Sequence, residues 1–266
     1  MPPEPIEERV HAFSVAELVI AIAITSLLAL LLLPALTGPQ RARDLTNAAQ
    51  KIADAFDLAR TYAIANNTYV WLGIYEESDR ASGPTNSTPP YPGQGRVILA
   101  TVASRDGTTA CQDPASTTTT RIALVPTQII QVGQLIRIAN IHITDIGPPS
   151  ASSTSTPDPS SIEGRPNYPY VFGSPTVDYQ NRISSDDLHT PFNQTLYPFV
   201  AQGYTFHKTV RFNPRGEAHI NSTYSLRRVA EIGIRDAHGT TVGSGDSDIV
   251  AIQFSGMTGR CRIYRK

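Results

Sequence analysis

The sequence predicts an α+β fold, with one long N-terminal helix packed on an antiparallel β-sheet domain that carries long loops. Two observations lead there. Residues 13–36 are almost all apolar or small, and a helical stripe continues behind them to residue 65. From residue 68 onward, short β-branched and aromatic runs alternate with Pro-, Gly-, Ser- and Thr-rich stretches. Runs of strands following a single helix favour an antiparallel sheet.

The helix comes first. At about 1.5 Å per residue, a helix over 13–36 is about 36 Å long, enough for a hydrocarbon core of about 30 Å. A membrane-spanning half over 13–36 is therefore expected. Glu17 is the single ionisable residue in that run. An intramembrane carboxylate is costly and by default a functional candidate; the plainer alternative leaves Glu17 in the headgroup region. Pro34 removes one helix hydrogen bond and is expected to soften the helix there. Over 37–67 the helix turns amphipathic, with Leu45, Ala49, Ile52, Phe56, Ala59 and Ala63 on one face. Asn66-Asn67 is the expected stop, since Asn tolerates the left-handed conformation of helix ends.

Strands are expected at 68–75, 96–104, 121–125 and 135–143, and again at 204–213, 218–222, 228–235, 248–254 and 260–265. Residues 212–216 read as a turn, with Gly216 free to take positive φ. Residues 255–259 read as the loop of a closing hairpin. Residues 150–161 are Ser/Thr/Pro low-complexity and are expected to be exposed. Periodicity assigns no element over 163–198.

Composition bounds the function. The chain has 266 residues and a formal net charge of −1. No basic cluster suggests nucleic acid as a partner. The first twelve residues carry Glu4, Glu7 and Glu8 against Arg9. The two cysteines, Cys111 and Cys261, leave two readings open: a disulfide in an oxidising compartment, or two unpaired thiols. The six histidines show no metal-ligand spacing. Residues 243–248 lack the arrangement of an exposed nucleophile and read as a solvated turn. Asp186, Asp187 and His189 read as a polar loop. No catalytic residue, cofactor or metal site is expected.

Around Glu17, the stretch Ala12-Phe13-Ser14-Val15-Ala16-Glu17-Leu18 resembles the processing motif of type IV prepilins. The resemblance implies cleavage between Ala12 and Phe13 by a prepilin peptidase, leaving 1–12 as a leader. It also implies N-methylation of Phe13, and an assembly and register role for Glu17, paired with the Phe13 amine of a neighbour. Pro34 stands where pilins often carry a helix-softening proline. Ala12 replaces the usual Gly, and the acidic leader departs from the usual basic one. Residues 59–67, 210–216 and 252–260 are similar to the helix end, the Phe-x-Pro-x-Gly turn and the closing hairpin of H-type minor pseudopilins. The run Leu30-Leu31-Leu32-Leu33-Pro34-Ala35-Leu36 also resembles prepilin-type proteins of the Verru_Chthon cassette families, the D member in particular.

What this implies is a pilin-like fold and a minor pseudopilin or pilin-like subunit of a type IV pilus or type II secretion pseudopilus. Its expected place is a single pass in the cytoplasmic membrane, with 68–266 as an extracytoplasmic β-rich domain, and later a filament. Its expected partners are the prepilin peptidase, other pseudopilins and that membrane. The competing class is a membrane-anchored exported binding module that holds a glycan, a peptide or a surface through its Tyr- and Pro-rich loops.

Overall fold

The computed structural model describes residues 14–80, 93–110, 123–144, 146, 162, 165, 182–183, 197–220, 229–239, 241–243 and 249–266, with the side chains of 30–42 and of Arg182 left out. The chain divides into two compact units, residues 1–42 and 43–266. Helix α1 (Val15–Ala65) is the first element. Among the described residues thirteen strands follow: β1 (Val70–Ser78), β2 (Gly95–Ser104), β3 (Ile129–Gln131), β4 (Ile136–Thr144), β5 (Arg182–Ile183), β6 (Phe199–Ala201), β7 (Tyr204–Phe206), β8 (Lys208–Phe212), β9 (Ala218–His219), β10 (Ala230–His238), β11 (Thr241–Val242), β12 (Ile249–Phe254) and β13 (Cys261–Arg265).

The second unit is built on one sheet in the order β13-β12-β10-β4-β2-β1-β8-β9, with β11, β3 and β5 attached off that path. Every pairing is antiparallel except that of the two-residue β5 with β10. Side chains alternate between the two faces. One face of β1 carries Val70, Leu72 and Ile74, which pack with Leu45, Ala49, Ile52, Phe56 and Ala59 of α1. The other face carries Trp71 and Tyr75, which pack with Phe199, Tyr204 and Phe206 of the β6–β7 hairpin. That hairpin lies so close to the sheet that a Cβ on Gly73 would stand 2.5 Å from Phe199 Cζ and 2.7 Å from Phe206 Cγ.

Phe56 shows how far the sheet curls. Its ring centroid lies 6.0 Å from that of Phe212 on β8 and 4.9 Å from that of Phe254 on β12. Those strands are five places apart in the sheet. In a flat sheet, at about 4.8 Å per strand, they would be about 24 Å apart, so one phenyl ring could not touch both. The sheet closes partway around the helix as a half-barrel. The Ala218 N–H donates to the Gly256 carbonyl at 2.8 Å and draws the two ends together.

Several expected elements coincide with observed ones. Helix α1 ends in a Schellman motif: the Thr68 N–H donates to Ala63 O at 3.0 Å and the Asn67 N–H to Ile64 O at 3.3 Å, with Asn67 at φ +48°. Strands β2, β4, β12 and β13 fall within a residue or two of expectation. The expected strand at 204–213 is two strands, β7 and β8, which belong to different sheets. Of 121–125, the described residues hold a single bridge at Leu124.

The class is corrected. The architecture is mainly antiparallel β, a curled half-barrel with a hairpin on its outer face. It is not the pilin-like α+β arrangement of a membrane-spanning helix laid on a sheet. No helix among the described residues is long and apolar enough to cross a membrane. The expected transmembrane helix and single-pass localisation in the cytoplasmic membrane are withdrawn on that finding.

Two outcomes test this packing. Phe56→Ala removes the ring that both Phe212 and Phe254 touch and is expected to cost about 3–5 kcal/mol in a urea unfolding titration. His219, on β9 opposite Arg211, has its imidazole pKa held below the ordinary 6.5, first by burial and then by the Arg211 charge, with Glu217 opposing. Below pH 6.5 the unfolded chain then takes a proton that the folded chain refuses, so stability falls as the pH drops through the folded value. His219→Phe should flatten that acid limb in unfolding midpoints measured across pH, and leave the alkaline side unchanged.

A candidate assembly helix and the corner that seats its packed half

The first unit presents residues 15–29 of α1. Val15, Leu18, Val19, Ile20, Ile22, Ile24, Leu27 and Leu28 are all exposed, none by less than 54%. At 100° per residue these eight side chains point in every direction around the helix. The two hydroxyls within the stretch are spent on the backbone. Thr25 Oγ1 donates to Ala21 O at 2.9 Å, and Ser26 Oγ donates to Ile22 O at 2.7 Å. The surface so formed is apolar on all sides, and a helix of that kind is ordinarily a buried one.

Glu17 sits in a capping box. The Ser14 N–H donates to Glu17 Oε2 at 2.9 Å, and the Glu17 N–H donates to Ser14 Oγ at 3.3 Å. The reciprocal pair satisfies two backbone donors that a helix start leaves orphaned. Ala12 and Phe13, the expected processing and methylation positions, lie outside the described residues. Pro34 lies within α1, which continues through it to Ala65.

In the second unit, the three stretches that carry the pseudopilin resemblance meet at one corner. Arg60 Nε donates to Thr258 O, in the β12–β13 turn, at 2.6 Å. Gly216, at φ +81°, lies against the helix, where an added Cβ would stand 2.8 Å from Ile64 Cδ1. A Cβ on Gly259, at φ +64°, would run into Gly216 O and stand 2.9 Å from Arg60 Cδ. Asn213 shapes the turn between them. Its Oδ1 accepts from the Arg215 and Glu217 N–H groups, each at 3.0 Å, and its Nδ2 donates to Glu217.

The remaining sequence candidates are not brought into a site. Cys261 is a half-buried thiol against the helix-side core, pushed up to about 12 by burial and by Asp57, with Arg60 opposing. Cys111, its expected partner, lies outside the described residues, as do Asp186, Asp187, His189 and residues 244–248. Among the described residues no group of His, Cys, Asp or Glu is placed to hold a metal.

Sequence reasoning missed the buried charges. Glu231 accepts from Arg165 Nη1 at 2.8 Å and from Gln253 Nε2 at 3.0 Å, all three buried. Glu76 accepts from the Ile143 N–H at 3.3 Å and lies 2.5 Å from His142 Nδ1. Glu77, fully buried, pairs with Arg96 at 3.3 Å, and burial raises its carboxyl pKa despite that guanidinium. The Arg211 guanidinium lies over the rings of Tyr69 and Tyr197, its Cζ 5.8 and 5.0 Å from their centroids. On a strand, a charged residue bound for solvent and one bound for a covered face alternate alike, so the sequence carries no mark that separates them.

Gly259→Ala tests the corner. The left-handed backbone and the contact with Gly216 together should cost about 1–3 kcal/mol, read as a lower urea midpoint at unchanged slope. No protein-family model matches the chain, and the comparisons with curated proteins and with solved structures returned no match.

Proposed function

We propose that the chain is an assembly subunit, a β half-barrel whose helix carries an apolar segment, 15–29, that joins a bundle of equivalent segments from neighbouring subunits. The observation that carries this reading is the set of eight large apolar side chains exposed around the full circumference of that segment. Exposed apolar area of this extent marks an interaction surface. The two hydroxyls bound to carbonyls support the reading, because they leave no unmet donor to bring into an apolar bundle. The prepilin-like motif at Ala12, Phe13 and Glu17 suggests the kind of assembly: a pilus or pseudopilus filament, entered after a peptidase cuts before Phe13 and the new amine is methylated. The chain's role there is a structural one, not an enzymatic one.

Glu17 then has two uses, helix capping and pairing with a neighbour's amine, and two substitutions separate them. Gln can keep the capping box but carries no charge; Leu keeps neither. A photocrosslinking residue placed at Ile24 in co-expressed tagged and untagged copies, with sibling subunits present, reads neighbour capture. If the carboxylate pairs with a cation, Glu17→Gln and Glu17→Leu should both lower capture about tenfold or more, as breaking a buried ion pair implies. If only Leu lowers it, Glu17 is a cap and nothing more. Ile22→Glu, which puts a charge on the apolar surface, should abolish capture. Undiminished capture by Ile22→Glu would remove the assembly reading.

A further inference from the structure

Strand β13 ends the main sheet and has β12 as its only neighbour among the described residues. Its outer row of N–H and C=O groups therefore has no partner strand there. Arg262, Ile263 and Arg265 on it are exposed. A groove of about 460 Å³ runs beside it, lined among others by Gln253, Ser255, Thr258, Arg260, Arg262 and Tyr264. The register sets Gln253 opposite Arg262 and Ala251 opposite Tyr264. Ala251 packs with Ile146, Ile162 and Ile249, whereas its β12 neighbours Val250 and Ile252 pack with α1. Arg262 and Tyr264 thus face away from the helix, into the groove.

The charges there are uncommitted. The Gln253 amide is spent on Glu231. Arg260 and Arg262 are exposed, and neither guanidinium has a carboxylate partner among the described residues. Arg265, opposite Val250 on the helix-side face, bonds instead to Thr46 Oγ1 at 2.8 Å.

A free edge rimmed with cations is a common protection against edge-to-edge pairing. Two copies of β13 laid side by side would set arginines against arginines, and like charges across a pair destabilise it. The same charges favour a strand of opposite sign. We propose that β13 and its groove take an extended acidic peptide segment of a partner protein by strand addition. Backbone hydrogen bonds would form along β13, and carboxylates at alternate positions would face Arg260 and Arg262. Alternate residues of a strand are about 6.6 Å apart on one face, which matches the repeat from Arg262 to Tyr264. In strand addition the main chain supplies affinity and alternate side chains supply selection. This inference rests on the sheet and not on the assembly reading.

The test uses the full chain in a neutral detergent and fluorescence anisotropy of short labelled peptides. The probes are an alternating Glu-Thr peptide, its Lys-Thr counterpart, and two Glu-Thr versions N-methylated at odd or at even residues. The Glu-Thr peptide should bind saturably and the Lys-Thr peptide should not. One of the two N-methylated versions should bind about tenfold more weakly or worse, since its methyl groups take the place of donors to β13. The Arg260→Glu, Arg262→Glu double variant, with an unchanged far-ultraviolet circular dichroism spectrum, should weaken binding by about tenfold or more. If that variant does not fold, Arg262→Gln together with the methylated peptides decides. Equal binding by both methylated peptides and the parent would mean charge attraction alone and overturn strand addition. Undiminished binding by the arginine variants would overturn the site, and so would heparin binding that excludes the peptide while ignoring those variants.

Discussion

Phe56 is the residue around which the sheet closes. It is fully buried and touches Phe212 from one side of the half-barrel and Phe254 from the other. That geometry requires the helix to lie deep in the curl. The residues along the packed face of α1 make this possible, because Ala48, Ala49, Ala55, Ala59 and Ala63 are all buried and small. Larger side chains would hold the helix off the sheet and pull the phenyl ring away from one of its partners. The corner at Arg60 is the next consequence. Once the helix lies that close, Gly216 and Gly259 have room for hydrogen and not for a methyl group. The alanine face, the ring and the two glycines are parts of one close approach.

The opposite face of the same sheet is settled by a different balance. Trp71, Tyr75, Phe199, Tyr204 and Phe206 cover β1 and β2 with aromatic area. Beyond that cover the sheet buries charge: Glu77 with Arg96, and Glu231 with Arg165. Replacing such pairs by apolar residues is often neutral or stabilising, whereas removing one partner leaves an uncompensated charge. The Arg165–Glu231 pair holds the chain at residue 165 to β10 in a way that apolar packing through Ile162 alone would not.

Much of this was legible in the sequence, and the parts that were not share a cause. The stripe from Leu45 to Ala63, the stop at Asn67 and the turn at Gly216 are local signals, written in residues whose chemistry demands one conformation. Each appears where the residues place it. The break between β7 and β8 at His207 was not legible, because 204–213 keeps strand composition on both sides of it. What divides the two strands is tertiary: Tyr204 and Phe206 pack on the outer aromatic layer, while Val210 and Phe212 pack on the helix side. The curl was hidden for the same reason, since it depends on contacts between strands far apart in the chain. The class expectation failed through the apolar run. Among the described residues no helix is long and apolar enough to cross a membrane, and thirteen strands carry the architecture.

The candidate site shows the same division at the scale of one residue. Glu17 stands out in sequence because it is the lone acid in an apolar run, and that contrast invites a long-range partner. The structure supplies a local one, the Ser14 backbone three residues back. The capping bond engages Oε2. A capping box also fixes the rotamer and the direction of the carboxylate, so an oxygen held there is preorganised toward whatever approaches the start of the helix. The helix start therefore holds Glu17 oriented and exposed beside an apolar surface. A cation delivered by a neighbouring chain would meet that carboxylate without any prior rearrangement of the segment.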